Sequence, residues 1–327
     1  MTRIGRRAVC LRIGAMATAP LWPFWDASAS QEQPIDRRAL PFRTRIDLVH
    51  LSVTARDAAS GLVHNLDIAE FEIYEDGVRQ DVGHFGHHET PISVVLLLDK
   101  SGSMAGDKMM HAKDGVIEFV KALKKDDEVL VVAFSDSVDA LGGFGLGVRT
   151  IEQAVKQVEV ESQTRLYDAV IEGAREIAAP GRKDKRALVI LSDGEDNASR
   201  ATLDDAVDGV RVAEVPVYAI AVEYEDRGAW YARRPTANWR QLRGAGEVAP
   251  LRRLTDGTGG WTYSIPAAKR CKEVCLRIAD ELRNQYLLGY YPTNQDRDGR
   301  WRAIEVRTSR PGVILATRAG YYAPRSV

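Results

Sequence analysis

The sequence predicts an α/β fold: a doubly wound, mainly parallel sheet, with an accessory antiparallel β domain formed from both flanks. Three observations lead there. Ile92 to Leu98 (Ile-Ser-Val-Val-Leu-Leu-Leu) is a nearly continuous apolar run, as expected for a strand buried on both faces. Strand-like runs then alternate with segments of helical period, the pattern of a parallel sheet with helices on both sides. Before Pro91 and after Gln285 the pattern changes to short alternating runs closed by turn pairs such as Asp76-Gly77, Asp298-Gly299 and Pro311-Gly312, which read as antiparallel β structure.

Taken in order, Ile46 to Arg56 alternates, with Val49, Leu51 and Val53 on one side of the pleat. Phe71 to Glu75 is a second strand; Asp76-Gly77 turns it, and Val82 to Phe85 reads as the return. After the Ile92 strand, Met109, Val116, Val120 and Leu123 mark a helix by their spacing. Val129 to Phe134 is a second buried strand, and Leu166, Val170, Ala174 and Ile177 mark the next helix. Ala187 to Leu191 is a third strand, Leu203 to Ala213 a helix and Val215 to Val222 a fourth strand. From Tyr224 the rhythm breaks into an irregular stretch that mixes aromatics and arginines, including Trp230, Tyr231, Arg233, Arg234 and Trp239. A stretch of that length is either a partner contact or a loop packed on the domain. The β/α pattern resumes at Val248 to Leu254, continues with a short strand over Gly259 to Tyr263, and ends with a helix from about Ala267 to Arg283. Gln285 to Tyr291, Trp301 to Arg307 and Val313 to Thr317 complete the second flank.

The expected organisation is a signal peptide at 1–29, a Pro-rich polar linker at 30–43, a first β flank at 44–89, the α/β domain at 90–284 and a second β flank at 285–327. The leader reading rests on Arg3, Arg6, Arg7 and Arg12, a modestly apolar stretch from Ile13 to Trp25, and an Ala27-Ser28-Ala29 cleavage pattern. Arg6-Arg7 leaves both the general secretory and the twin-arginine routes open, so the expected location is periplasmic, extracellular or at the cell surface. Over the whole chain of 327 residues, 45 basic residues balance 46 acidic ones. Removing the leader takes four arginines and one aspartate away and leaves the rest mildly acidic. That balance argues against a general nucleic-acid binder, and nothing beyond the leader approaches the ~18 apolar residues that a membrane helix needs. Three cysteines are too few for a disulfide scaffold. Cys271 and Cys275 share the stripe of Ile278 and Leu282 on a helix and are expected to be core thiols, an intrahelical disulfide being the less favoured option.

The chemistry is concentrated where the Ile92 strand ends, in Asp99-Lys100-Ser101-Gly102-Ser103. Ligands of open α/β sheets bind outside the carboxyl ends of strands, near a switch in strand order. An acid and two hydroxyls at alternate positions there can face one point. Thr164, ahead of the Leu166 helix, and Asp193, after the Ala187 strand, occupy comparable positions. All five are hard oxygen donors, suited to Mg²⁺, Mn²⁺ or Ca²⁺ and not to zinc.

This pattern resembles the von Willebrand factor type A (VWA) family, whose metal-ion-dependent adhesion site (MIDAS) is Asp-x-Ser-x-Ser followed by a distant Thr and a distant Asp. Asp99, Ser101, Ser103, Thr164 and Asp193 fill all five positions in order. The whole layout is similar to a secreted bacterial VWA-related group, notably from acidobacteria. The matching features are Tyr74-Glu75-Asp76-Gly77 before the core, and Gln285 through Pro292 and Gly320 through Pro324 after it. The resemblance implies direct coordination by the serines and threonine, coordination by the aspartates often through water, and a partner protein's Glu or Asp carboxylate completing the shell. The expectation is therefore an exported protein-binding module, not an enzyme, with no nucleic-acid or nucleotide partner.

Other readings are weaker. Asp-Lys-Ser-Gly-Ser also resembles the Asp-Lys-Thr-Gly-Thr phosphorylation loop of P-type ATPases, in which Asp99 would be a nucleophile. Those enzymes are long membrane proteins, and a soluble dehalogenase-type phosphatase needs a second acid where Ser101 stands. A serine hydrolase elbow around Ser103 needs Gly at position 101, and no P-loop is present. A structural envelope component with a non-functional metal site is the remaining alternative. His84, His87 and His88 read as a solvated strand end, not a zinc site. Asp168, Glu195 and Asp196 are left outside the site, either as acids that support its ligands or as helix-terminal acids, Asp168 suiting a first helical turn.

Overall fold

The computed structural model of the chain describes residues 48–57, 61–86, 90–222 and 248–325. The expected leader and linker, the aromatic and arginine-rich stretch around Trp230 and Trp239, and His87 and His88 lie outside the described residues.

The first flank contributes β1 (Val49–Asp57), β2 (Gly61–Leu62), β3 (Phe71–Glu75), β4 (Val78–Gln80) and β5 (Val82–Gly86). The central part runs β6 (Ile92–Asp99), α1 (Asp107–Ala122), β7 (Glu128–Phe134), β8 (Val138–Ala140), α2 (Val148–Lys156), α3 (Leu166–Ala178), β9 (Lys185–Ser192), α4 (Leu203–Ala213) and β10 (Val217–Val222). It then continues with α5 (Ala249–Thr255), β11 (Thr262–Ile265) and α6 (Cys271–Arg283). The second flank supplies β12 (Tyr286–Tyr290), β13 (Trp301–Thr308), β14 (Val313–Ala316) and β15 (Gly320–Tyr322).

The central sheet has six strands in the order β11-β10-β9-β6-β7-β8, all parallel except β8, which pairs antiparallel with β7. Strand order reverses at β6: the chain first builds outward through β7 and then returns to β6's other side with β9. The apolar run predicted for β6 is buried throughout. Val94, Leu96 and Leu98 pack into the core layer shared with α1 and α6, while Val95 and Leu97 pack into the layer shared with α3 and α4. That period of two is what lets one strand serve two helical layers. Cys271 and Cys275 are buried free thiols on α6. They face Gly115 of α1, where an added Cβ would lie 3.0 Å from the Cys275 Sγ and 3.3 Å from the Cys271 Cβ. α1 and α6 approach closely because neither brings a large side chain to that crossing.

The flanks form two antiparallel sheets. One has the path β14-β1-β12-β5, with β2 also pairing with β1; the other is β15-β13-β3-β4. Each sheet contains strands from both ends of the chain: β1 pairs with β12 from Val49↔Tyr290 to Val53↔Tyr286, and β3 pairs with β13 from Phe71↔Thr308 to Glu75↔Ile304. Leu51, Val53, Ile73, Tyr286, Leu288 and Ile304 are among the side chains that fill the layer between them. The accessory antiparallel structure is therefore made by both flanks together.

Three local features differ from the sequence reading. Asp76 (φ 48°) and Gly77 (φ 80°) form the expected tight turn, but the strand returning from it is β4, not Val82 to Phe85. The chain leaves that sheet at Asp81, and β5 pairs with β12 in the other one. The last strand of the central sheet is Thr262–Ile265, later than the expected Gly259 to Tyr263. The short elements β8, α2 and β15 were not anticipated.

The sequence motifs at the flanks meet in space. The Glu75 carboxylate accepts hydrogen bonds from the hydroxyls of Tyr290 (2.6 Å) and Tyr321 (3.0 Å), and all three side chains are buried. Asp76 Oδ1 accepts from the Ala303 amide at 2.8 Å. Gln80 exchanges two hydrogen bonds with Thr293, one with its amide and one with its hydroxyl.

Candidate metal site

Asp99 is the last residue of β6 and is fully buried. Its Oδ1 accepts from the amide of Ser101 at 2.9 Å, which curls the chain immediately after the strand. Its Oδ2 accepts from the hydroxyl of Ser192, the last residue of the neighbouring strand β9, at 2.6 Å. The register of β6 and β9, with Leu98 opposite Leu191, places Asp99 beside Ser192. Burial pushes the Asp99 carboxyl up to about 6. The hydrogen bonds from Ser101 and Ser192 hold it down in part, and the nearby charge of Asp193 adds to the rise.

Past Asp99, one 3₁₀ turn, Gly102–Met104, carries the chain toward α1. The Ser101 and Ser103 hydroxyl oxygens lie 3.1 Å apart, with Ser101 buried and Ser103 half-buried. The two hydroxyls therefore face one point, as the alternate spacing requires. Gly102 is pressed against the next loop, where a Cβ would sit 3.4 Å from the carbonyl oxygens of Glu161 and Ser162.

That next loop carries Thr164, which is buried. It is bound to the first loop by the Glu161 amide, which donates to the Lys100 carbonyl at 2.8 Å. The Lys100 ammonium adds ion pairs to Glu161 and to Asp139 of β8, the latter at 3.0 Å. On its other side Thr164 is joined to the third loop. Its amide donates to Asn197 Oδ1 at 2.9 Å, and its carbonyl accepts from the amides of Asn197 (3.1 Å) and Ala198 (3.0 Å).

Asp193 follows β9 directly. Its Oδ1 accepts from the Glu195 amide at 3.4 Å, and its Oδ2 faces the Lys108 ammonium of α1 at 3.3 Å. The loops bearing the five sequence-selected residues are thus stitched to one another at the carboxyl ends of β6 and β9, at the point where strand order reverses. The donors number two carboxylates and three hydroxyls, with no thiolate or imidazole among them; they fit a hard divalent cation. Among the described residues no group of three or more His, Cys, Asp or Glu side chains is arranged to hold a metal.

A second set of side chains was not selected from the sequence: Ser192, Lys100 with Glu161, Asn197 and Lys108. Their types are common, and their roles depend on which loops lie side by side. Asp168, left outside the site, caps a loop: its carboxylate binds Arg165 and accepts from the amides of Arg200 and Ala201. Asp196 accepts from the Ser199 hydroxyl at 2.6 Å.

Residues 94–195, from the middle of β6 through the loop after β9, match the model of the von Willebrand factor type A domain. The chain carries a VWA domain. The Asp-x-Ser-x-Ser segment, Thr164 and Asp193 all fall inside the matched span. Among curated relatives, the inter-alpha-trypsin inhibitor heavy chain H3 of Bos taurus is 28% identical over 142 residues, covering 39% of this chain and 16% of that protein. An uncharacterized protein of Synechocystis is 29% identical over 109 residues, covering 32% of this chain and 26% of its own. The similarity thus spans about a sixth to a quarter of the length of those relatives. Among solved structures, a von Willebrand factor type A protein from Catenulispora acidiphila aligns with a TM-score of 0.49 at 12% identity, covering 89% of this chain and 75% of that one. Proximal thread matrix protein 1 from the mussel byssus, with a zinc-occupied MIDAS motif, aligns with a TM-score of 0.46 at 14% identity, covering 60% of this chain and 48% of that one.

Proposed function

We propose that the VWA domain is a protein-interaction module that binds a divalent cation through Asp99, Ser101, Ser103, Thr164 and Asp193 and uses it to engage an acidic group on a partner. The observation that supports this reading is the linking of three separate loops, each bearing candidate oxygen donors, at the strand-order reversal beside β6. When bound, the cation supplies a Lewis-acidic position that a carboxylate oxygen of the partner can occupy.

The chain's own residues account for the rest. The Asp99 carboxylate fixes the Ser101 turn and is itself held by Ser192, so the first loop is shaped before any ligand arrives. Lys100 and Asn197 hold Thr164 between the other two loops. Two carboxylates leave a divalent ion close to neutral, and a partner carboxylate then adds a charged ligand to it. Mg²⁺ fits, as do Mn²⁺ and Ca²⁺, because each is a hard cation with oxygen preference. The module acts by binding and not by catalysis. With the arginine-rich, apolar and Ala-Ser-Ala pattern of the first residues, it belongs to an exported protein.

The test is a calorimetric titration of the purified protein with Mg²⁺, Mn²⁺ and Ca²⁺, paired with capture of envelope proteins in the presence of Mg²⁺ or of EDTA. Metal binding that is lost in Asp99→Ala, together with a captured protein released by EDTA, supports the reading. Equal capture in both conditions removes the role of the cation and leaves a structural component.

A further inference from the structure

The Lys108 ammonium lies 3.3 Å from Asp193 Oδ2, and both side chains are largely shielded from water, at 12% and 5% exposure. This is not a solvated surface pair of the kind that contributes little. Its position is also electrostatically unusual. Lys108 is the second residue of α1, at the helix end where the backbone dipole favours acids and disfavours cations. A lysine there gains from a compensating negative charge, and one that faces it, Asp193, belongs to the candidate metal site.

We infer that Lys108 is a positioning residue that acts as a built-in counter-cation of the metal site, holding Asp193 on its ammonium and lowering the affinity of the site for a divalent ion. The inference rests on the metal-site reading given above. Asp193 has one oxygen toward the Glu195 amide and the other toward Lys108, so both lone-pair-bearing oxygens already have donors supplied by the chain. Each carboxylate oxygen keeps a second lone pair, so Asp193 can reach a cation directly or through a water while Lys108 stays beside it. In either case a positive charge sits next to a ligand carboxylate and opposes the incoming cation. The same charge has a second consequence. By offsetting Asp193 it leaves the bound ion more electrophilic, which favours a carboxylate from outside the chain over further ligands from within it. Metal affinity is weakened while the attraction for an acidic partner is kept.

The experiment compares wild type, Lys108→Met and Lys108→Arg by titration with Mg²⁺ and Mn²⁺ alone, alongside melting curves without and with metal. Lys108→Met keeps the side-chain stem and removes the charge; Lys108→Arg keeps the charge. A unit charge beside a ligand changes divalent affinity by about tenfold even with the screening of water, and by more where the pair is shielded, so Lys108→Met should bind Mg²⁺ at least about tenfold more tightly and Lys108→Arg should resemble wild type. Metal-free Lys108→Met should melt below wild type and gain more on metal addition. Binding by Lys108→Met with none by wild type would support the inference in its strongest form. Equal or weaker binding by a folded Lys108→Met, with wild type binding normally, overturns the role of Lys108 and leaves the metal site standing. Absence of binding by all three proteins overturns the metal site and the inference with it.

Discussion

Arg56 of β1 and Glu281 of α6 form an ion pair where the antiparallel layer meets the helix packed on the central sheet, and neither side chain reaches water, at 3% and 0% exposure. Tyr263 of β11 joins them: its hydroxyl accepts from the Arg56 Nη2 at 2.7 Å and donates to the Glu281 carboxylate. One strand of the first flank is thereby fixed to the last strand and last helix of the α/β core. Removing one partner leaves the other buried charge less compensated in a medium that solvates it poorly, although Arg277 also reaches Glu281 at 3.4 Å. Glu281→Ala should cost about 3–5 kcal/mol of unfolding free energy, whereas replacing both, as in Arg56→Met with Glu281→Leu, should restore most of that loss. Denaturant unfolding of the two single variants and the double variant checks this. A double variant no better than the singles would show that the pair is worth more than its desolvation.

A similar argument applies to the acid that ties the flank motifs together. Glu75 receives hydroxyl donors from Tyr290 and Tyr321, which lie far apart in sequence and on different sheets. Tyr290→Phe removes a hydrogen bond to a buried carboxylate without changing the packing, so it should destabilise by about 1.5–3 kcal/mol. Tyr321→Phe, whose bond is longer, should cost less. Chemical denaturation of both variants separates the two effects.

The α/β core was legible because its signals are local and strong. Ile92 to Leu98 could hardly be anything but a doubly buried strand, and the helix stripe of Met109, Val116 and Val120 is buried in the structure. The neighbourhood of the candidate site was legible for a different reason: the alternate spacing of Asp99, Ser101 and Ser103 suits a tight loop at a strand end, and Thr164 and Asp193 stand at comparable ends of other elements. What escaped the sequence was short or non-local. β8 and β15 have three residues each, too few for a periodicity, and β8 exists because β7 offers it an edge. α2 begins after Gly147 without a side-chain cap, so no start signal marked it. The switch of sheets at Asp81 is invisible locally, because β4 and β5 read as one returning strand until β12 claims the second half. Lys108 and Ser192 were missed because a lysine in a first helical turn and a serine at a strand end acquire meaning only once β6 and β9 are neighbours.

Lys185 provides a test by pH. It opens β9, is 1% exposed, and its ammonium donates to the Arg283 carbonyl at the end of α6 at 3.0 Å. Burial, reinforced by the Arg283 charge, pulls its pKa down to about 8. An ammonium with a lowered pKa binds fewer protons folded than unfolded between about 8 and the ordinary 10.5, so its contribution to stability rises with pH across that window. Below pH 8 the charged lysine carries the full cost. The difference in unfolding free energy between wild type and Lys185→Met should therefore be constant below about pH 8 and shift in favour of wild type as pH rises toward 10. Matched denaturant curves at pH 7 and pH 9.5 read it directly, and parallel behaviour of the two proteins would count against the shift.

Asp99 makes the corresponding prediction for the site itself. In the metal-free protein its carboxyl is pushed up to about 6 from an ordinary 3.8, first by burial and then by the charge of Asp193. An acid with a raised pKa binds more protons folded than unfolded between those two values, so stability falls as pH rises through the window and the cost is complete above about pH 6. The Asp99 carboxylate is thus unfavourable to the fold at neutral pH until something offsets its charge. Asp99→Asn keeps an acceptor for the Ser101 amide, and the Ser192 hydroxyl can turn to accept from the new amide. Without metal, Asp99→Asn should be more stable than wild type at pH 7.5 by up to about 3 kcal/mol, and the gap should close below about pH 4, where both side chains are neutral. Adding Mg²⁺ or Mn²⁺ should raise the melting temperature of wild type and leave that of Asp99→Asn where it was, because an incoming cation removes the cost only where the carboxylate exists. A metal-free Asp99→Asn protein less stable than wild type at pH 7.5 would show that the carboxylate is held for the fold and not for a cation.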